Sequence, residues 1–287
     1  MVSSTENTKG LFGSPYLVDY YDLLHPNSDS VDDTPFYWRV YQELRSPLVS
    51  APRDPFIIMD LGTGTGRVIR AIASYAALSG DEMHNCRILG VDDSPHMLEK
   101  ARQNDDPFFK EHVFWYLGSA LDLEKVVSQS GFGKVDLLIF SLGSISYLTE
   151  SDQLQMFMGQ LSKVLRPNTG RAYLSIYDGF ILQDKEDALH QPEGVTETKT
   201  PTFPNIIYRR SNFRSELMDK VRDVKFDLAV VEVTDQGEKL LEINNIVMKL
   251  RQWDHDELVS IAAGTGARLV ESVRRKNETF YVFGTEA

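Results

Sequence analysis

Phe56-Ile57-Ile58-Met59-Asp60-Leu61-Gly62-Thr63-Gly64-Thr65-Gly66-Arg67-Val68 carries the decisive signal in this chain. An apolar strand stops at an acidic residue, three alternating glycines follow, and an amphipathic stretch then reads as helix. Glycine permits a sharp backbone turn and the close approach of a ligand. The helix start adds N–H groups that have no intrahelical partner. Together they make a cradle for a polar cofactor at the carboxyl end of a strand. The dinucleotide fingerprint G-x-G-x-x-G fits only in part. Gly62 and Gly64 match, but the third position is Arg67 and Gly66 falls one residue early. A nicotinamide dehydrogenase is therefore disfavoured.

A second strand, Arg87-Ile88-Leu89-Gly90-Val91-Asp92, runs into Asp93-Ser94-Pro95-His96-Met97-Leu98. Ser94 suits a helix N-cap and Pro95 the first helical turn. Asp92 then falls at the tip of its strand, beside the glycine loop, where a carboxylate accepts two hydrogen bonds from a ribose diol.

With both motifs in place, the chain resembles the class I methyltransferases that use S-adenosylmethionine. The matching segments are Asp60–Gly66, Gly90–Leu98, Gly118-Ser119-Ala120-Leu121-Asp122-Leu123 and Val135–Ser141, in the family's order, within a resemblance that runs from about Tyr20 to the end of the chain. The resemblance implies an α/β, Rossmann-like fold: a seven-stranded, mostly parallel sheet with an N-terminal helical lid and an inserted antiparallel β region. It implies S-adenosyl-L-methionine as cofactor and no metal.

Composition bounds the alternatives. A chain of 287 residues is long enough for one large domain or one and a half. A formal charge of −12 disfavours a nucleic-acid substrate, since phosphate binding wants a basic face. The single cysteine, Cys86, excludes an internal disulfide and suits a reducing interior. No apolar run is long enough to span a bilayer, and Met1–Asn7 lacks the features of a signal peptide. The expectation is a cytoplasmic protein acting on a small molecule, as monomer or homodimer, without membrane or nucleic-acid partners.

The pattern divides the chain into 1–50, a tail and lid; 51–178, the cofactor-binding core; 179–251, a loop and antiparallel insertion covering the substrate; and 252–287, the rest of the core sheet. Residues 1–13 read as disordered, and aromatic helices are expected near 14–25 and 34–46. From Pro55, strands at 56–61, 87–92, 112–117, 135–141 and 171–177 alternate with helices at 65–79, 95–103, 122–129 and 151–165, the rhythm of a parallel sheet. Thr279–Gly284 suits the family's reversed edge strand. Residues 179–205 read as a long loop. Val224–Val230 and Leu240–Leu250 alternate as a hairpin with one buried face. Gly264-Thr265-Gly266 reads as a helix stop. The doublets Asp32-Asp33, Asp105-Asp106 and Asp254/Asp256 read as solvated turns or helix starts.

For the individual residues, the resemblance implies a cradle of Gly62, Thr63, Gly64 and Gly66. Asp60 either faces the methionine amino group or only caps the helix. Asp92 takes the ribose, with Asp93 as the alternative. Met97 packs against adenine or only fills core. Ser119 stands where the family often has aspartate, and a neutral acceptor is weaker than a charged one; the backbone N–H of Ala120 offers an alternative adenine contact. Tyr21, in a tyrosine–aspartate pair, contacts the methionine end in relatives, against core packing as the plain reading. Ser141 leaves the fourth strand beside the methyl group.

Methyl transfer is an in-line displacement, in which orientation alone supplies roughly 7–11 kcal/mol. The segment Phe140–Leu148 is similar to that of small amine N-methyltransferases, whose histidine falls on Tyr147 here. A tyrosine ring also stabilises a cationic donor. Tyr177 and Asp178 end the fifth strand and face the pocket, Asp178 as a partner or proton acceptor for an amine. No histidine falls just after the fourth or fifth strand, where relatives often place a base, and His25 in the lid is left as the open candidate. Arg209, Arg210 and Arg214 either hold a substrate carboxylate or are solvated strand residues. Nitrogen is the favoured acceptor. The alternatives are a phenol or carboxylate oxygen, and a cofactor-binding regulator that has lost catalysis.

Overall fold

The computed structural model describes residues 7–8, 12–24, 33–46, 54–103, 107–177, 194–275 and 278–286. In chain order the elements are β1 (Asn7–Thr8), α1 (Pro15–Leu24), α2 (Thr34–Arg45), β2 (Phe56–Leu61), α3 (Arg67–Ser79), β3 (Cys86–Asp92), α4 (Pro95–Ala101), α5 (Pro107–His112) and β4 (Val113–Leu117). There follow α6 (Leu123–Ser130), β5 (Leu137–Phe140), α7 (Ser151–Val164), β6 (Arg171–Tyr177), β7 (Thr196–Lys199), β8 (Ile206–Met218) and β9 (Val221–Thr234). The chain closes with β10 (Gly237–Arg251), α8 (His255–Ala262), β11 (Ala267–Arg275) and β12 (Glu278–Thr285). They form two compact units, one of Met1–Pro26 with Gly179–Gln252 and one of Asn27–Asp178 with Trp253–Ala287.

The larger unit is a seven-stranded sheet in the order β11-β12-β6-β5-β2-β3-β4. Strands β2 to β6 run parallel, and β12 pairs antiparallel with β6. From β2 the chain builds outward through β3 and β4, then returns to the other side of β2 with β5. The order reverses at β2, so the carboxyl ends of β2 and its neighbours flank the crevice where such sheets bind ligands. Strand β2 is buried along its whole length, as expected of a parallel strand covered on both faces. One face packs Ile58, Ile88, Ile139, Tyr173 and Phe280 with residues of α2 and α3. The other packs Met59, Leu138, Leu174 and Phe283 with residues of α7 and α8. Because side chains alternate along a strand, Asp60, Asp92, Ser175 and Glu278 fall on the α2/α3 face at one end of the sheet.

Two glycines make room for the Trp115 ring. A methyl group built on Gly90 would come within 2.5 Å of Trp115 Cζ3, and one on Gly66 within 3.1 Å of its Cη2. The Trp115 ring also stacks on Phe109 of α5, with centroids 6.4 Å apart. Overpacking a filled site costs about 1–3 kcal/mol. Gly90→Ala is therefore expected to lower the thermal midpoint, measured by calorimetry, and the added Trp115→Ala is expected to recover part of the loss.

The smaller unit is an antiparallel sheet in the order β1-β10-β9-β8-β7, with β1 added in parallel. Its buried face packs Leu17 and Tyr20 of α1 against Tyr208, Phe226 and Leu228. Tyr208 donates a buried hydrogen bond of 2.9 Å to Asp19 of the helix. Thus α1 clusters with the inserted sheet, while α2 clusters with the parallel sheet.

Local expectations needed four corrections. Asn7–Thr8 is strand, paired with Asn244 and Asn245, within a tail read as disordered. Thr196–Lys199 is strand within a segment read as loop; it pairs with Ile207–Arg210, and Glu197 bonds Arg209 at 2.6 Å. Helix α5 ends at His112, so β4 starts one residue later than expected. Asp33 stands at a helix start, one of its two readings, as the N-cap of α2, but it is not solvated: its side chain is 0% exposed and accepts a fork from Arg67, with bonds of 2.6 and 2.7 Å.

Candidate functional site

The loop between β2 and α3 turns through three left-handed glycines, Gly62, Gly64 and Gly66, with φ of 63°, 55° and 86°. Side chains rarely adopt this region, and only glycine does so without steric cost. Their surroundings differ. A methyl on Gly62 would press within 3.2 Å of Phe140, and Gly66 faces Trp115, whereas beside Gly64, among the described residues, only Met97 Sδ comes within 4.0 Å. Space for a ligand therefore opens at Gly64.

Asp92 ties the next strand to this loop. Its Oδ2 accepts the Gly64 N–H at 2.8 Å and its Oδ1 the Ser94 N–H at 2.9 Å. The Asp93 backbone also bonds the carboxylate; a carboxylate has about four acceptor positions, so acceptor capacity for a hydroxyl remains. Burial pushes the carboxyl up to about 6, partly offset by the bonds from Ser94 and Gly64. Ser94 caps α4 by accepting from Met97 N at 3.3 Å. Met97 is buried, and Asp93 is exposed.

Asp60, at the end of β2, is 1% exposed. Its Oδ2 accepts the Thr63 hydroxyl at 2.6 Å, while Oδ1 has no hydrogen-bond partner among the described residues. Burial pushes this carboxyl up to about 7, against the Thr63 bond and the charge of Arg67. An unmet buried acceptor is costly, and a donor from an ammonium group would satisfy it. Tyr37 on α2 presents a second unmet buried atom, its hydroxyl; burial and then the charges of Asp33 and Glu278 raise it well above the ordinary phenol range.

Beyond β5 the chain turns sharply. Leu142 has φ of 51° and Gly143 of 66°, and a left-handed non-glycine residue marks a strained position. Ser141 is buried and its carbonyl accepts from Ser144 N at 3.0 Å. Gly143 N donates to Ser175 Oγ at 3.0 Å. Tyr147 follows in a short 3₁₀ turn and is 43% exposed. Ser119 caps another such turn, accepting from Leu121 N at 3.2 Å, with Ala120 next in line.

The larger unit thus brings together Asp60, Thr63, Gly62, Gly64, Gly66, Asp92, Asp93, Met97, Ser119, Ala120 and Ser141 around the carboxyl ends of β2 to β5. Tyr21 belongs to the smaller unit, where its ring meets Phe12 edge-on at 5.4 Å. Tyr177 ends β6; Asp178 and His25 lie outside the described residues. Arg209 pairs with Glu238 at 2.6 Å and with Glu197, while Arg210 is buried over the Phe213 ring. Sequence reasoning missed Glu278, buried at the start of β12 with its Oε1 unmatched among the described residues. Its one signal is an acidic residue directly before the apolar run 280–283. No group of three or more potential metal ligands occurs among the described residues.

A parallel sheet with a reversed strand, whose first parallel strand ends in a glycine loop bonded to a carboxylate on the next, defines a Rossmann-like nucleoside-binding enzyme fold. The sequence matches the family described as a methyltransferase domain over residues 54–239, and the chain belongs to that family. It is an S-adenosylmethionine-dependent methyltransferase. It is 27% identical over 280 residues, 96% of each chain, to the N-methyltransferase FrzE of a Cladobotryum species. It is 39% identical to the trans-aconitate 2-methyltransferase of Streptomyces coelicolor over 69 residues, 24% of this chain and 20% of that one. Among solved structures, the sugar N-methyltransferase KedS8 from Streptoalloteichus shares the fold with a TM-score of 0.64 at 16% identity, covering 100% of this chain and 99% of that one. The amino pentose methyltransferase CalS10 from Micromonospora, solved with S-adenosylmethionine, does so with a TM-score of 0.56 at 15% identity, covering 93% and 97%.

The residues present fit the cofactor: open space at Gly64, free acceptor positions on Asp92, and an unmet acceptor on Asp60. When bound, the cofactor supplies an electrophilic methyl group on a sulfonium. Asp92 would be placed to hold the ribose and Asp60 to face the amino group.

These carboxyls set a pH dependence. An acid raised to about 7, as Asp60 is, keeps its proton in the folded chain where the unfolded chain has lost it, near pH 4. Stability therefore falls as pH rises from about 4 to 7. A ligand ammonium group beside the carboxyl acts in the opposite sense, because it favours the ionised form. Affinity for S-adenosylhomocysteine, measured by calorimetry, is expected to fall as pH drops below about 7, by up to about tenfold per pH unit per proton taken up. Asp60→Asn is expected to flatten that dependence.

Proposed function

We propose that this enzyme methylates an amine nitrogen on a small molecule. The observation that carries the reading is the near full-length similarity to a protein named as an N-methyltransferase. The matches to trans-aconitate methyltransferases span only 69 residues or fewer and carry no acceptor with them. The site's chemistry supports the same choice. An alkyl amine with a pKa of about 10 costs about 4 kcal/mol to deprotonate at neutral pH. Buried carboxylates at the end of the sheet offer both attraction to the ammonium and a place for its proton. In this reading Tyr147 orients the acceptor through its hydroxyl, and the sequence's other candidates for contact with it are Tyr177, the last residue of β6, and Asp178, which lies outside the described residues.

The enzyme is expected to transfer methyl from S-adenosylmethionine to amines in a mixed panel of amines, phenols and carboxylates, followed by mass spectrometry. Transfer confined to phenols or carboxylates would refute the nitrogen reading and leave the cofactor assignment intact.

A further inference from the structure

One buried carboxylate has no task in the site as described. Glu278 opens β12 in register with Tyr177, at the carboxyl end of β6. The residue is 7% exposed and its Oε1 is unmatched among the described residues. Ser175, beside it on β6, hydrogen-bonds the carboxylate. Ser175 also accepts the Gly143 N–H at 3.0 Å. That glycine sits in the turn leaving β5, whose next residue, Ser144, lies against Gly62. The carboxylate is therefore wired through one hydroxyl to the loop that borders the cofactor cradle.

Nothing in the sheet calls for an acid here. Strand pairing uses the backbone, and an apolar residue would avoid the cost of a half-satisfied buried carboxylate. The neighbouring cations do not serve as dedicated partners. Arg67 is forked onto Asp33, and Arg275, which acts on Glu278 through space, lies 5.3 Å over the Phe36 ring. The other groups that act on Glu278 or are acted on by it are Asp33, just before α2, and Tyr37 on α2. Among the described residues, two buried polar atoms here have no hydrogen-bond partner: Glu278 Oε1 and the Tyr37 hydroxyl. Such a site is built for a cation that donates hydrogen bonds.

We propose that Glu278 binds the protonated amine of the methyl acceptor and takes its proton. This assignment rests on the nitrogen reading above. In the step, one N–H bond breaks and its electron pair stays on nitrogen as the lone pair. The proton moves to Oε1 of the carboxylate, leaving a neutral amine and a carboxylic acid, so the summed charge does not change. Burial first, and the nearby Asp33 second, push the Glu278 carboxyl up to about 7. A proton acceptor works best with a pKa near the working pH.

The test uses Glu278→Gln, which keeps the shape and the Ser175 bond but cannot take a proton. Benzylamine, pyrrolidine and glucosamine are titrated by calorimetry into wild type saturated with S-adenosylhomocysteine, and each is assayed for methylation beside phenol and benzoate. The expected result is amine binding by wild type, weakened about tenfold or more in E278Q. For any amine turned over, kcat/KM is expected to fall about 10²-fold or more, with S-adenosylhomocysteine affinity unchanged. Wild type that binds none of the amines, or E278Q that binds and methylates them as wild type does, overturns the proposal. So does a parallel loss of S-adenosylhomocysteine affinity, which would give Glu278 a structural role. Turnover of phenol or benzoate in place of amines, seen in wild type alone, would instead defeat the nitrogen reading and the assignment with it.

Discussion

Replacing Asp92 with alanine is expected to weaken S-adenosylhomocysteine binding by about 10²- to 10⁴-fold. Two losses combine. The carboxylate would no longer meet the two ribose hydroxyls, and hydrogen bonds to a charged partner contribute about 1.5–3 kcal/mol each. The Gly64 and Ser94 N–H groups, now bonded at 2.8 and 2.9 Å, would also be released, loosening the loop that shapes the cradle. Asp92→Asn separates the two effects. It keeps one acceptor oxygen and loses the charge, so its binding is expected to fall between wild type and D92A. Calorimetric titration of the three proteins measures this. Equal affinity in all three would remove Asp92 from the cofactor site.

Replacing Arg67 with methionine is expected to destabilise the fold by about 3–5 kcal/mol, the range for removing one partner of a buried ion pair. Its partner Asp33 has no exposed side-chain surface, and the guanidinium is 19% exposed. The change would leave a carboxylate buried at the start of α2, directly over the helix that follows the glycine loop. At about 2–4 °C per kcal/mol, the thermal midpoint should drop by roughly 6–20 °C. Asp33→Asn in the same background removes the stranded charge and is expected to recover part of the loss. A midpoint unchanged in R67M would show that the fork does not hold α2 to α3.

The parallel sheet and cofactor cradle were legible because their signals are local. An apolar run, a terminal aspartate and closely spaced glycines can be read within Phe56–Val68, and Asp92 follows from the same logic one strand later. What stayed hidden depends on partners distant in sequence. Arg67 was visible as a departure from a dinucleotide loop, but its partner lies 34 residues upstream in an acidic stretch that reads as solvated. Gly90 and Gly66 looked alike as glycines. Only the position of Trp115 shows that both make room for an indole. Glu278 opens a strand that the sequence suggests as the sheet edge, where a charge is ordinary; in the structure that strand lies between β11 and β6, and Glu278 is buried. Strand β7 is short and polar, and its partner β8 is needed to see it.

The central claim is that the bend at Gly62–Gly66 and the Asp92 carboxylate seat an adenosyl sulfur compound. Calorimetric titration of the purified chain with S-adenosylhomocysteine, with NAD as the comparison ligand, tests it directly. Saturable one-to-one binding of the sulfur compound and none of NAD is expected. A folded protein that gave no binding heat with S-adenosylhomocysteine at any temperature tried, or that bound NAD in its place, would contradict it.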